Sequence, residues 1–200
     1  GLAKFDNPYA MVIIGRLYKN GTHVMRNLKN AVQFFVCAAK QKCPEGYYYL
    51  GKEYYYGRIL NQNFKKANSL LIKALKNNGE PRAGYYLYKI ESIYIKDDDD
   101  DDVVIKGHDD ESNDTESEED NEDVDAVKAL IIAANFGYKR ALYKYGHRLV
   151  TGRDTRISMD EKKGEKLIKQ AAYQNHKKAI RYCKSHNISY IKKDNNSKLS

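Results

Sequence analysis

The chain has 200 residues, 42% of them hydrophobic, so it is long enough to bury a continuous core. No secretory signal and no apolar run of about 18 residues is present, so the sequence predicts no membrane insertion. The three cysteines, Cys37, Cys43 and Cys183, are too few and too scattered for a disulfide framework. We therefore expect reduced thiols and a cytoplasmic or host-intracellular location.

The formal net charge of +8 is distributed very unevenly. Residues 97–125 hold 17 of the 27 acidic residues and one basic residue, a formal charge of −16. The remainder holds 34 basic and 10 acidic residues, a formal charge of +24. Because adjacent carboxylates repel each other and bury nothing apolar, we predict an acidic, disordered insert over residues 97–123 within a basic folded body.

Helical periodicity dominates the rest of the chain, and no stretch alternates clearly enough to predict a strand. Pro8, Pro44 and Pro81 each stand at or just before a predicted helix, where a fixed φ suits the first turn. Gly79 and Gly137 are predicted to end helices as left-handed caps. In chain order, the predicted helices span residues 8–20, 28–42, 45–58, 64–78, 81–96, 124–136, 138–151, 160–174 and 176–187.

A spaced pattern recurs along these helices: a small residue, a glycine five positions later and a second glycine eleven positions later, usually with a tyrosine between the glycines. The first two copies are 36 residues apart, a period typical of stacked helical repeats. A second helix follows each copy and carries small residues seven apart, as in Ala31/Ala38 and Gly164/Ala171. The copies are Ala10-Gly15-Tyr18-Gly21, Gly46-Gly51-Tyr54-Gly57, Ala83-Tyr88-Glu91-Tyr94, which lacks the glycines, and Ala141-Gly146-Leu149-Gly152.

These runs resemble the Sel-1-like repeat, a relative of the tetratricopeptide repeat. The ordinary tetratricopeptide repeat remains the alternative interpretation. The resemblance covers roughly residues 8–187. It implies an all-α, right-handed superhelical solenoid of about four antiparallel helix pairs with a C-terminal capping helix. The expected organisation is the end of a preceding helix or a linker (1–7), two repeats and the first helix of a third (8–96), the insert (97–123), the remaining helices (124–187) and a polar tail (188–200).

One side of each first helix carries tyrosines and basic residues. Counted from the small residue that opens each copy, offsets +2, +6 and +9 lie opposite the core offsets on a helical wheel. In stacked helix pairs the first helices line the concave surface, so these positions predict a partner-binding face. Because the chain has 18 tyrosines among its 200 residues, composition alone is an alternative explanation for tyrosines at these positions. The candidate partner-binding residues are Arg16, Lys19, Tyr48, Lys52, Tyr55, Tyr85, Lys89, Tyr143 and His147.

No catalytic constellation is recognisable. The five histidines have no metal-ligand spacing with the cysteines, and no serine has nucleophile-elbow context. Asp97–Asp102 lacks the spaced ligands of a calcium loop. The sequence therefore predicts no catalytic residue, no cofactor, no metal site and no enzyme activity.

Three functional interpretations remain. The first, which the resemblance favours, is a non-enzymatic protein–protein interaction scaffold or adaptor that binds a protein or peptide on the Tyr- and Lys/Arg-lined face. The second is a nucleic-acid or anionic-surface binder whose acidic insert shields the basic body. The third is a structural or host-interaction repeat protein with varying partners. Thr115 and Ser117 precede acidic residues at +3 and are candidate phosphorylation sites that would add to the insert's charge.

Overall fold

All nine predicted helices are confirmed in the computed structural model, which describes residues 7–76, 79–94 and 124–190. Over those residues the chain is all helical and contains no strand. The observed helices begin and end within three residues of their predicted bounds. They are α1 Pro8–Asn20, α2 Leu28–Lys40, α3 Pro44–Tyr56, α4 Phe64–Leu75, α5 Ala83–Tyr94, α6 Ala126–Asn135, α7 Lys139–Thr151, α8 Glu161–Tyr173 and α9 Lys177–Ser185.

Side-chain caps fix where several helices begin. Asn27 Oδ1 accepts a hydrogen bond from the backbone N–H of Asn30 at 3.0 Å, and Asn63 Oδ1 accepts one from Lys66 at 2.8 Å. The two asparagines are 36 residues apart, so the same cap starts α2 and α4. Each satisfies a backbone donor that has no partner within its helix.

The second glycine of the repeat pattern ends the first helix of a repeat. Gly21, Gly57 and Gly152 follow α1, α3 and α7 with φ of 71°, 59° and 61°, a left-handed conformation that glycine adopts without strain. Gly137 also has a positive φ, as predicted, but Gly79 does not, so its predicted left-handed cap was wrong. The backbone there turns through a different hydrogen bond, in which Glu80 N donates to Ala74 O at 2.7 Å.

The chain divides into two compact units, residues 1–124 and 125–200. In the first unit each helix from α1 to α5 packs on the next, and α1 also contacts α3. In the second unit α6 packs on α7, α7 on α8 and α8 on α9. Each unit therefore has its own core, and in the second unit α9 covers α8 as the predicted capping helix.

The first glycine of the pattern lies where two helices of one repeat meet. A Cβ on Gly15 would lie 3.2 Å from the carbonyl oxygen of Ala31, and one on Gly51 would lie 3.3 Å from that of Ala67. A Cβ on Gly146 would lie 2.8 Å from the Gly164 carbonyl oxygen. The two helices of a repeat therefore cross closely at these three glycines, and backbone approaches backbone at the same register in three repeats.

Candidate partner-binding surface

Five of the nine predicted partner-binding residues lie together in the first unit. Helices α3 and α5 place them there because offsets +2, +6 and +9 share one side of a helix. A sixth residue, Tyr86, lies at their centre. We call this set the tyrosine–cation cluster; its members are Tyr48, Lys52, Tyr55, Tyr85, Tyr86 and Lys89.

Edge-to-face contacts hold the rings of the tyrosine–cation cluster. The Tyr86 ring centroid lies 5.9 Å from that of Tyr48, 5.3 Å from that of Tyr55 and 5.1 Å from that of Tyr85. The ring planes are inclined by 64° to 85°, the arrangement that the quadrupoles of aromatic rings prefer. Helices α3 and α5 are therefore joined by rings across the boundary between two repeats.

Two lysine ammonium groups lie over the faces of these rings. Lys52 Nζ is 5.2 Å from the Tyr48 centroid and 5.3 Å from the Tyr86 centroid. Lys89 Nζ is 5.7 Å from the Tyr55 centroid and 5.8 Å from the Tyr85 centroid. Contacts of this kind attract a cation by about 0.5–1 kcal/mol at exposed sites and more where water is excluded. The rings thus hold two positive charges, of which Lys52 is half-buried and Lys89 is buried.

Arg82 adds a third cation that the sequence did not predict as a site residue. Its guanidinium lies 4.6 Å from the Tyr48 centroid, and Nε donates to Glu80 Oε1 at 2.7 Å. The hydrogen bonds to the Glu80 carboxylate raise the pKa of Arg82 above its already high usual value. Arg82 therefore stays charged throughout the physiological pH range and is held in one place.

The two predicted residues on α1 differ in their surroundings. Lys19 forms an ion pair with the buried carboxylate of Glu53 on α3, and its ammonium group lies 5.9 Å from the Tyr49 centroid. Arg16, one turn earlier, is exposed. Lys19 thus ties repeat one to repeat two, whereas Arg16 faces solvent.

Burial separates the members of the predicted face. Tyr48, Tyr55 and Lys89 are at most 2% exposed, and Tyr85 is 7% exposed. Lys52 is half-buried. The helical wheel placed all of these residues on an open side, but in the folded unit the tyrosines pack against one another. Their predicted role in partner binding stays a prediction, and in the first unit the accessible part of the face consists of Arg16, Lys19 and Lys52.

In the second unit, Tyr143 and His147 belong to a row of five rings. Tyr143 lies 4.9 Å from His176 and 5.6 Å from His147 between centroids. Tyr182 lies 6.1 Å from His147 and stacks on His186 at 4.0 Å. Burial, with help from nearby Glu165 and Glu161, raises the pKa of the Tyr182 phenol, so it stays neutral. His176, Tyr182 and His186 were not predicted as site residues, because α9 brings them to Tyr143 and His147 from a distant part of the sequence.

A groove of about 660 Å³ also lies in the second unit. Leu142, Tyr173 and Tyr190 contribute apolar surface to it, and Lys169 and Gln174 contribute polar groups. None of the nine predicted partner-binding residues lines this groove.

Within residues 7–76, 79–94 and 124–190, no three His, Cys, Asp or Glu side chains are grouped so as to hold a metal ion. No helix in that part of the chain is both long and apolar enough to cross a bilayer. Thr115, Ser117 and the acidic insert at 97–123 lie outside the described residues.

Comparisons with solved structures agree with the helical stack. A protective antigen present in uropathogenic Escherichia coli strains, described as displaying an SLR fold, matches 92% of this chain with a TM-score of 0.66 at 17% identity. A Sel1 repeat protein from Oxalobacter formigenes matches 88% with a TM-score of 0.61 at 18% identity. This chain spans 34% of the first protein and 62% of the second. The TM-scores establish a common fold and, at these identities, the fold alone.

A sequence profile settles the family. The Sel1 repeat profile matches residues 8–43, 44–79 and 139–176, together more than half of the chain. The third repeat, whose first helix lacks the two glycines, is not among the matched ranges. A search of curated protein sequences found no significant match. With three profile matches on the repeats identified above, the chain belongs to the Sel1 repeat family.

Proposed function

We propose that this protein is a non-enzymatic scaffold that binds a protein or peptide on the first-helix surface around the tyrosine–cation cluster. Sel1 repeats generally form protein–protein interaction scaffolds. The observation that carries the proposal for this chain is the accessible Lys52 ammonium group, held over the Tyr48 and Tyr86 rings on the same side as the exposed Arg16. Rigid aromatic anchors beside cations are the residue types that contribute most energy at protein interfaces.

The buried tyrosines pack beneath the accessible Lys52 and hold its ammonium group in position. Because Tyr48 and Tyr85 are almost fully buried, their replacement by alanine would remove packing as well as any contact with a partner. Binding is therefore tested at the accessible cations, Arg16 and Lys52, whose replacement removes no aromatic ring. Both residues occupy offset +6 of their repeats, so one partner segment can reach both from the same side.

The experiment is affinity capture followed by mass spectrometry, with each captured protein then purified and its Kd measured directly. The test variant is Arg16→Glu with Lys52→Glu. The matched control is Lys65→Glu with Lys73→Glu, which makes the same change of charge at exposed positions of the second helix α4. We expect a genuine partner to lose at least tenfold in affinity with the test variant and to bind the control normally. Equal binding by both variants would refute the proposed surface.

A second candidate, binding to nucleic acid or another polyanion, is favoured by the +24 charge outside residues 97–125. Its test is the salt dependence of binding to a labelled single-stranded oligonucleotide. Contacts to phosphates release counterions, so log K should fall with log salt with a slope of about −0.7 for each phosphate contacted. A slope near zero, or no binding in 50 mM salt, would exclude this function.

A further inference from the structure

The groove in the second unit lies apart from the first-helix surface proposed above. Its volume of about 660 Å³ falls within the range of about 300–1,000 Å³ that is usual for ligand-binding clefts. We call the apolar residues that line it, Leu142, Tyr173 and Tyr190, the apolar wall. Tyr173 is 45% exposed, so the apolar wall presents a large aromatic ring to solvent.

Hydrogen bonds hold the two sides of the groove in place. Gln174 Nε2 donates to the carbonyl oxygen of Gly137 at 3.0 Å, which joins the end of α8 to the end of α6. Beyond α9, the backbone N–H of Ile188 donates to the carbonyl oxygen of Cys183 at 2.8 Å, and this turn places Tyr190 at the groove. The groove therefore resembles the largely pre-formed clefts that bind ligands.

The charge of the groove differs from that of the corresponding junction between repeats one and two. The repeats align with Gly146 on Gly51 and with Gly164 on Ala67. At five groove positions, four lysines of the earlier junction are replaced by uncharged residues and one apolar residue is replaced by a lysine. The replacements are Lys40 by Asn135, Lys42 by Gly137, Lys73 by Gln170, Lys76 by Tyr173 and Ile72 by Lys169. The groove thus has one cation where the earlier junction has four.

This one cation, Lys169, is accessible to a partner. It is the only charged residue among the described residues that line the groove. Its side chain is exposed and forms no ion pair with another residue that the structure describes. Residues 125–190 include 15 basic and five acidic residues, a formal charge of +10, so the whole unit attracts anions. Charge complementarity therefore favours a ligand that carries a carboxylate.

Side-chain amides add hydrogen-bonding groups to the groove. Asn135, Gln170 and Gln174 line it beside the apolar wall. An amide side chain has a donor nitrogen and an acceptor oxygen, the same two groups that a peptide bond offers. These amides favour a peptide, whose backbone can use them, over a hydrophobic carboxylate that has no backbone.

We propose that the groove binds a peptide segment of a protein partner in which an acidic residue stands close to an aromatic or branched aliphatic residue. The carboxylate pairs with Lys169, and the apolar side chain packs on the apolar wall. This site is in the second unit, so it goes beyond the proposed function at the first-helix surface.

The probe is a displayed library of random peptides, panned on the full 200-residue chain. We expect the enriched peptides to share an Asp or Glu close to a Phe, Tyr, Leu or Ile. Each enriched peptide is then synthesised with a fluorescent label, and its Kd is measured by anisotropy. Panning on the Lys169→Glu variant should not enrich the same peptides.

The variants separate the groove from general positive charge. Lys169→Glu should weaken the binding of an enriched peptide about tenfold, because it places a carboxylate against a carboxylate. Lys166→Glu makes the same change of charge at an exposed position of α8 that does not line the groove, and should weaken binding by less than about twofold. Tyr173→Ala removes part of the apolar wall and should weaken binding about fivefold.

A double-mutant cycle tests the ion pair directly. Replacement of the peptide's acidic residue by its amide should weaken binding to the unaltered chain, as should Lys169→Gln with the unaltered peptide. The two changes together should weaken binding no more than either alone, because each removes the same interaction. Additive losses would show that the carboxylate does not pair with Lys169 and would overturn the proposal.

Three other results would also overturn the inference. They are a failure to enrich any peptide, an enriched set that lacks the acidic and apolar pair, and equal losses of affinity with Lys169→Glu and Lys166→Glu. Arg16→Glu with Lys52→Glu alters the other unit and should leave this binding unchanged. Failure of the groove is therefore distinguishable from failure of the first-helix surface.

Discussion

Gly51 illustrates how one absent side chain fixes the distance between two helices. A Cβ at this position would lie 3.0 Å from Leu71 Cγ and 3.3 Å from the Ala67 carbonyl oxygen. We expect Gly51→Leu to lower the free energy of unfolding by about 1–3 kcal/mol through overpacking. Chemical denaturation measures the change. Lys65→Leu, on the exposed side of α4, adds the same side chain as a control and should alter stability by less than about 0.5 kcal/mol.

The cysteines should differ in reactivity. Cys183 has no exposed surface, and burial raises the pKa of its thiol, with Glu165 adding to the effect and Lys169 opposing it. At pH 8 its thiolate fraction is therefore smaller than that of an ordinary cysteine. Cys37 is half-buried. We expect iodoacetamide to modify Cys37 first and Cys183 only on unfolding, as read by peptide mass spectrometry. Equal rates in the native protein would contradict this prediction.

At the scale of the helix, His176 is the cap that starts α9. Its Nδ1 accepts a hydrogen bond from the backbone N–H of Ala179 at 3.3 Å, and its ring packs on Tyr143. We expect His176→Ala to destabilise α9 by about 1 kcal/mol, seen as faster amide hydrogen exchange at the start of that helix. His176→Asn retains a capping acceptor but lacks the ring, so it should recover most of the protection. Equal loss in both variants would assign the effect to the ring contact.

The nine helices were predictable because their signals are local. Helical periodicity and capping residues are properties of short stretches, so even α5, which lacks both glycines, was placed within two residues of its observed bounds. The conformation of Gly79 was not predictable in this way. The backbone N–H of Glu80, the residue after Gly79, donates to the carbonyl oxygen of Ala74. This hydrogen bond takes the place of the left-handed cap that was expected at Gly79.

The candidate surface was predictable only in part, because burial across repeats is not local. A helical wheel correctly groups Tyr48, Lys52 and Tyr55 on one side of α3, but it carries no information about the next helix. Tyr86, at offset +3, was therefore missed, although it packs against both Tyr48 and Tyr55. The recurrence of tyrosine at this offset in Tyr49 and Tyr86 is a signal that a comparison of repeats would have detected.

At the scale of the whole molecule, the negative charge of the acidic insert predicts that the insert weakens the binding of the chain to polyanions. Deletion of residues 97–123 removes 16 acidic residues and one basic residue. We expect it to strengthen oligonucleotide binding about tenfold in 50 mM salt and by less at 150 mM, where the Debye length is about 8 Å. Replacement of the segment by a neutral linker of equal length separates charge from length. Unchanged affinity at both salt concentrations would leave the insert with only a spacer role.

The backbone contacts at Gly15, Gly51 and Gly146 also bear on redesign. Because each of these glycines meets a second-helix backbone at one register, the separation of the two helices is independent of the side chains on the opposite side of the first helix. Offset +6 on that side is Arg16, Lys52, Lys89 and His147 in successive repeats. Arg16 and Lys52, the accessible members of this set in the first unit, can therefore be redesigned for a new partner while the spacing of the two helices in each of their repeats stays constant.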